Sequence, residues 1–247
     1  MYLNYIERKH DAWDGDGFPF AVPAIRQLRR LEFPTPVTFL VGGNGCGKST
    51  ILEAIAVGMQ FTAVGAHDVS YDPTLQDVAS LADQLTFSRR RRPRAGFFLR
   101  AEDFFGFTQR MARLIAELRD EGGESARQAA ALEARYGQNP DARSHGENLL
   151  HILNSRLAPG GLYLLDEPDT PLSPLSQIAL LSLMQTMVGQ DCQFIVATHS
   201  PILLAFPEAT IFDVATQKGI LWHEFEHVKL TRDFLANPEK FLRHLTD

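Results

Sequence analysis

No run of about eighteen apolar residues occurs in the 247-residue chain, so no segment is long enough to cross a bilayer as a helix. The opening residues, Met1-Tyr2-Leu3-Asn4-Tyr5-Ile6-Glu7-Arg8, lack the extended apolar stretch of a secretion signal. Cysteine is scarce. Cys46 and Cys192 are too few for a disulfide framework, which fits a reducing compartment and makes a cytoplasmic location the expectation. An excess of basic charge is missing too. With 24 Lys and Arg against 30 Asp and Glu, the net charge of −6 gives no global reason to bind nucleic acid, although it leaves a local basic patch open. Internal repeats and low-complexity linkers are absent, and the interval from Phe105 to Arg143 is too short for a long coiled-coil arm. What is present suffices for a large core: 45% of the residues are hydrophobic.

Residues 1–36 read as irregular, with Pro19, Pro23, Pro34 and Pro36 and a turn cluster from Trp13 to Gly17. Val37–Val41 is a short apolar run ending in glycines, the pattern of a buried parallel strand. A helix follows from Lys48 to about Val57, and residues 65–95 read as polar and turn-rich. A strand is expected over Gly96–Arg100, then helices over 109–119, 124–136 and Glu147–Leu157. Apolar strands over Gly161–Leu165 and Gln193–Ala197 bracket a helix over 174–188, so the architecture reads as α/β.

Gly42-Gly43-Asn44-Gly45-Cys46-Gly47-Lys48-Ser49-Thr50 satisfies G-x-x-x-x-G-K-[ST] between a strand and a helix. Such a loop turns backbone N–H groups inward around phosphate oxygens, and the following helix adds positive potential. Lys48 reaches the β- and γ-phosphates in this reading, and Ser49 ligates Mg²⁺. Asp166 and Glu167 close the apolar run 161–165, where strand ends face the phosphate loop. Asp166 is expected to hold the magnesium shell through water, and Glu167 to orient and polarise the attacking water.

These residues, with Ser144-His145-Gly146-Glu147 and Ala197-Thr198-His199-Ser200-Pro201, resemble ATP-binding-cassette (ABC) type ATPases. The resemblance is to the small soluble ATPases of the SMC/RecF-like branch. It implies a P-loop NTPase (RecA-like/ABC) core with a mostly parallel sheet, an N-terminal β-containing portion and a short helical subdomain. Residues 1–247 would form a single ABC-type domain, in which about 103–158 is the helical subdomain. Ser144, Gly146 and Glu147 match the signature motif, which in such proteins binds the γ-phosphate held by the opposite subunit. His145 replaces the first of its two usual glycines. Gly146 is retained where backbone approaches phosphate, and Glu147 stands where transporters usually carry glutamine.

The resemblance also makes His199 the switch histidine that contacts the γ-phosphate. It makes 169–173 the loop that touches the partner subunit, with Ser173 where an aspartate is common. At the Q-loop, Arg100, Ala101 and Glu102 stand where a glutamine is expected, and Glu102 is taken as the contact to magnesium and water. The implied cofactors are ATP and Mg²⁺, and the implied assembly is an ATP-dependent homodimer with an unknown client and no direct membrane insertion.

Several features are left over. Phe18, Phe20 and Tyr2 are candidates to stack on adenine. Cys46 in the phosphate loop is expected to block ATP binding when alkylated. His223-Glu224-Phe225-Glu226-His227 spells the H-E-x-x-H zinc pattern, but Ile220–Phe225 reads as a strand rather than a helix. Five arginines between Arg89 and Arg94 form either a solvated loop or a grip on phosphate.

Overall fold

The computed structural model describes residues 1–61, 75, 77–136 and 145–243. Its centre is a six-stranded sheet in the order β5-β6-β7-β3-β8-β9. The strands are β3 (Val37–Val41), β5 (Ala95–Arg100), β6 (Gly161–Asp166), β7 (Gln193–Ala197), β8 (Thr210–Asp213) and β9 (Lys218–Ile220). The first five in spatial order are parallel, and β9 closes the edge antiparallel to β8.

Every residue of β3, β6 and β7 is buried, as expected of strands covered on both faces. The pleat divides them between two cores. Leu162 and Leu164 pack with Leu40 and Ile195 beneath the Lys48–Met59 helix, while Tyr163 and Leu165 pack with Phe39 and Val196 on the opposite face. That second face is covered by the His145–Arg156 and Pro174–Gly189 helices. Between β5 and β6 the chain also forms the Ala101–Glu121 and Gly123–Tyr136 helices, which pack on each other and are tied by Arg119 to Glu133 at 2.6 Å.

The N-terminal portion differs from the irregular reading. β1 (Leu3–Arg8), β2 (Arg30–Glu32) and β4 (Leu85–Arg89) form a three-stranded antiparallel sheet ordered β2-β1-β4, and Pro23–Gln27 is a short helix. The buried amide of Gln193 holds this sheet to the central one. It accepts from the backbone N–H groups of Tyr2 (2.7 Å) and Leu3 (3.0 Å) and donates to the Leu3 carbonyl (2.8 Å). Residues 220–225 also depart from expectation: the strand ends at Ile220, Trp222–Glu224 is a 3-10 turn, and a helix runs over Glu226–Ala236.

Candidate functional site

Parallel pairing brings the ends of neighbouring strands to one edge. Residues in register form a row of Arg100, Asp166, Ala197, Leu40 and Phe212 across β5, β6, β7, β3 and β8. The glycine loop leaves β3 just beyond this row, Asp166-Glu167 leaves β6, and Thr198-His199 leaves β7. The topology therefore gathers three sequence-distant segments at one edge, where α/β sheets bind ligands.

A cleft of about 380 Å³ lies over the loop, lined by Phe18, Asn44, Gly45, Lys48, Ser49 and Glu167 among others. Gly42, Gly45 and Gly47 have φ values of 143°, 71° and 114°, a region that L side chains rarely adopt. At Gly47 a Cβ would also lie 2.6 Å from Val22 Cγ1 and 3.0 Å from Ala24 Cβ, so the N-terminal segment braces the loop. The Ala24 N–H donates to the Cys46 carbonyl at 3.0 Å. Gly43, Asn44 and Gly45 are exposed at the crest, while Thr50 is buried in the helix that follows. Lys48 is buried, and its Nζ donates to the carbonyls of Gly42 and Gly43, both at 3.2 Å. Cys46 does not line the cleft; its thiol is buried in the core beneath the loop. Alkylation therefore requires the loop to open.

Asp166 is buried, and burial pushes its carboxyl up to about 6, opposed by a hydrogen bond from Ser49. Its Oδ1 has no hydrogen-bond partner among the described residues. A hydroxyl beside an unsatisfied carboxylate oxygen, next to a phosphate cradle, is a hard oxygen donor set that suits Mg²⁺. Glu167 sits at φ 48°, a left-handed conformation costly for a residue with a Cβ, and its N–H donates to the Ala197 carbonyl at 2.9 Å. That turn carries the carboxylate into the cleft, where its side chain is 45% exposed.

His199 Nε2 lies 3.9 Å from Glu167 Oε1. Burial, with Lys48 and His227 nearby, lowers the imidazole to about 4, so it is neutral at neutral pH. Thr198 donates its hydroxyl proton to Asp169, at the start of the 169–173 loop. Ser173, where an aspartate was expected, caps the Pro174–Gly189 helix by accepting from the Ser176 N–H at 3.2 Å.

Among the signature residues, Ser144 lies outside the described residues, as does the side chain of Glu102. Gly146 is buried, and a Cβ on it would lie 2.8 Å from the Pro171 carbonyl oxygen. Its bareness serves contact with the 169–173 loop of its own chain. Glu147 is exposed in the first turn of the His145–Arg156 helix.

Two partnerships escaped sequence reasoning. Arg100 is buried and pairs with Glu53 of the Lys48–Met59 helix at 3.0 Å, and His227 stacks on His199. Buried charge at the end of an apolar strand is a signal for the first; only the folded chain reveals the second. The H-E-x-x-H letters form no zinc site: His223 is in the 3-10 turn and His227 in the helix after it. No group of three or more His, Cys, Asp or Glu able to hold a metal occurs among the described residues.

Of the aromatic candidates, Phe18 is 59% exposed and lines the cleft. Phe20 is buried against Trp13, and Tyr2 is buried at the other end of the sheet, bonded to Asp191.

Known proteins resemble the chain throughout this framework. The family described as "AAA domain" matches residues 22–70, and that described as "AAA domain, putative AbiEii toxin, Type IV TA system" matches 148–205. The Cobalt import ATP-binding protein CbiO of Salmonella paratyphi A is 26% identical over 230 residues, covering 87% of this chain and 84% of the relative. The protein of the same name from Salmonella typhimurium is 26% identical over 229 residues, with the same coverage. Among solved structures, "an inward-facing conformation of a putative metal-chelate type ABC transporter" shares the fold at a TM-score of 0.51 with 16% identity, over 94% of this chain and 88% of that one. No helix among the described residues is long and apolar enough to cross a membrane.

Proposed function

We propose that the chain is a P-loop ATPase of the ABC type that binds ATP with Mg²⁺ and hydrolyses it between two copies of itself. The reading takes residues 1–247 as one ATPase domain, with about 103–158 as the helical subdomain that presents the signature motif. Each nucleotide lies against the 42–50 loop of one chain, with Lys48 on its phosphates and Phe18 beside its base. Ser49, and Asp166 through water, would hold the magnesium, joined by Glu102, and the metal would supply charge neutralisation on the phosphates. Glu167 accepts a proton from the attacking water, and His199, as a neutral imidazole, donates a hydrogen bond to the γ-phosphate. Ser144, Gly146 and Glu147 of the second chain close the site.

The observation that carries the two-chain form is the openness of the half-site. Glu167 is 45% exposed and the crest of the glycine loop is bare. In-line attack needs positioned donors and excluded bulk water, and a single copy leaves both incomplete. Two composite sites would also let ATP stabilise the closed pair by mass action, with hydrolysis releasing it. The direct test is ATPase rate per chain against protein concentration. We expect it to rise with concentration toward a plateau; a constant value down to the lowest measurable concentration in a protein that stays monomeric contradicts the composite site.

A second reading, as the energising subunit of a membrane transporter, is favoured by the cobalt-import relatives, which align over most of both chains. Arg100 stands where the transporter-type glutamine is expected and is tied to Glu53, which weighs against it. Co-purification with an integral membrane protein from native membranes would favour the transporter form. A cytoplasmic ATPase recovered without such a partner fits the first reading.

A further inference from the structure

The end of the sheet away from the ATP cleft carries a second, cationic pocket. The segment Arg89–Arg94 leads from β4 into β5, and all five of its arginines are exposed. A pocket of about 290 Å³ opens beside it, lined by Tyr2, Arg91, Arg92, Arg94, Gln190 and Asp191 among others. It lies where β5, β6 and β7 begin. Six residues of β5 at about 3.3 Å each put it roughly 20 Å from the strand ends that face ATP.

Two arginines here are already engaged: Arg89 donates from Nη2 to the Gly58 carbonyl at 2.7 Å, and Arg91 is paired with Asp191. Arg91 bonds both oxygens of the Asp191 carboxylate and lies 4.6 Å from the centroid of the Tyr2 ring, and the Tyr2 hydroxyl donates to the same carboxylate at 2.9 Å. This group forms a fixed wall. Arg94 is anchored through its backbone, whose N–H donates to the Gly160 carbonyl at 3.0 Å, and a Cβ on Gly160 would come within 3.3 Å of Arg94 Cδ. Arg92 and Arg94 line the pocket with no ion-pair partner among the described residues, and Arg90 beside them has none either. A chain of net charge −6 thus gathers uncompensated cations at one end.

We propose that this pocket and loop form a binding site for the phosphodiester backbone of a nucleic acid, with Arg92 and Arg94 as the phosphate-binding side chains. The planar guanidinium is suited to bidentate contact with phosphate oxygens. Arg90 extends the cationic row beyond the pocket, as a repeating polyanion requires and a single small phosphate does not. None of the large exposed apolar side chains among the described residues belongs to the segments that build this pocket, so the surface lacks the apolar anchors of a membrane-binding face. Such contacts position a backbone without reading sequence. The site goes beyond the ATP reading and does not depend on it.

The test uses the full chain without nucleotide and a short fluorescein-labelled DNA duplex, read by anisotropy across a salt series. Binding at low salt is expected, weakening linearly on a log–log plot. Arg92→Ala with Arg94→Ala should lower affinity about tenfold or more and reduce the salt slope by about two. The paired Arg→Lys changes should keep the slope, and Lys48→Ala should bind like the parent, which separates this site from the phosphate loop. Unchanged ATPase activity in the double alanine variant shows that the fold is intact. Failure of the duplex to bind at low salt, or an unchanged slope in the double alanine variant, overturns the proposal. So does displacement of the duplex by equimolar tripolyphosphate, or binding to phosphatidylserine vesicles without binding to the duplex.

Discussion

The imidazole of His227 stacks on that of His199, with ring centroids 5.0 Å apart and planes 24° apart. His227 stacks in turn on Phe225 at 5.0 Å, so the histidine at the end of β7 is held from outside the central sheet by the start of the Glu226–Ala236 helix. Neither ring nitrogen of His199 has a hydrogen-bond partner among the described residues, so this stack is a main restraint on its orientation before nucleotide arrives.

If the stack aims His199, removing it lowers turnover rather than binding. His227→Ala should reduce kcat about tenfold or more while leaving ATP affinity near that of the parent, and His227→Phe should restore most of the loss. Steady-state kinetics with a separate nucleotide-binding assay distinguish these effects. Equal activity in the alanine variant would show that the ring needs no such support.

The low pKa of His199 has a consequence for stability. Folded, the imidazole titrates near 4; unfolded, near its ordinary value of 6.5. Between these values the unfolded chain binds the extra proton, so lowering the pH from 6.5 toward 4 destabilises the fold, while above 6.5 the group has no pH-dependent effect. His199→Phe should flatten that part of the Tm-against-pH curve. A curve parallel to that of the parent would place the acid sensitivity elsewhere.

Gly146 makes a steric prediction. Ala at this position puts a Cβ 2.8 Å from the Pro171 carbonyl oxygen, and backbone must shift to admit it. Thermal unfolding of Gly146→Ala should show a loss of about 1–3 kcal/mol. The same shift disturbs the loop whose Asp169 bonds Thr198, next to His199, so ATPase activity should fall as well.

Phe18 offers a test with little risk to the fold, because its ring is mostly exposed. Phe18→Ala should leave Tm unchanged and weaken ATP binding about 3- to 10-fold, while competition by tripolyphosphate stays constant. An equal loss for both ligands would remove the ring from the base site.

How much of this was legible in the sequence follows from where the information sits. β3, β6 and β7 could be read directly because burial on both faces makes them uninterrupted apolar runs. The glycine loop could be read because its φ values demand glycine. β1 and β2 could not. β1 has buried positions only at Leu3 and Ile6, three apart, which breaks the strand period, and its anchor is Gln193, far along the chain. Arg100 stood out as a charge ending an apolar strand, but its partner Glu53 and the His199–His227 stack were hidden for the same reason, since each joins residues that only the folded chain makes neighbours. Gly146 was readable as a required glycine, but its local reason, the Pro171 carbonyl, was not.

The central claim is that two copies close on ATP, and Glu167→Gln tests it most directly. The change keeps the shape of the side chain and removes the carboxylate that accepts a proton from water. Multi-angle light scattering of this variant with saturating ATP and Mg²⁺ should show a stable dimer, with little product formed over the run. A monomer under those conditions, with ATP demonstrably bound, would contradict the account.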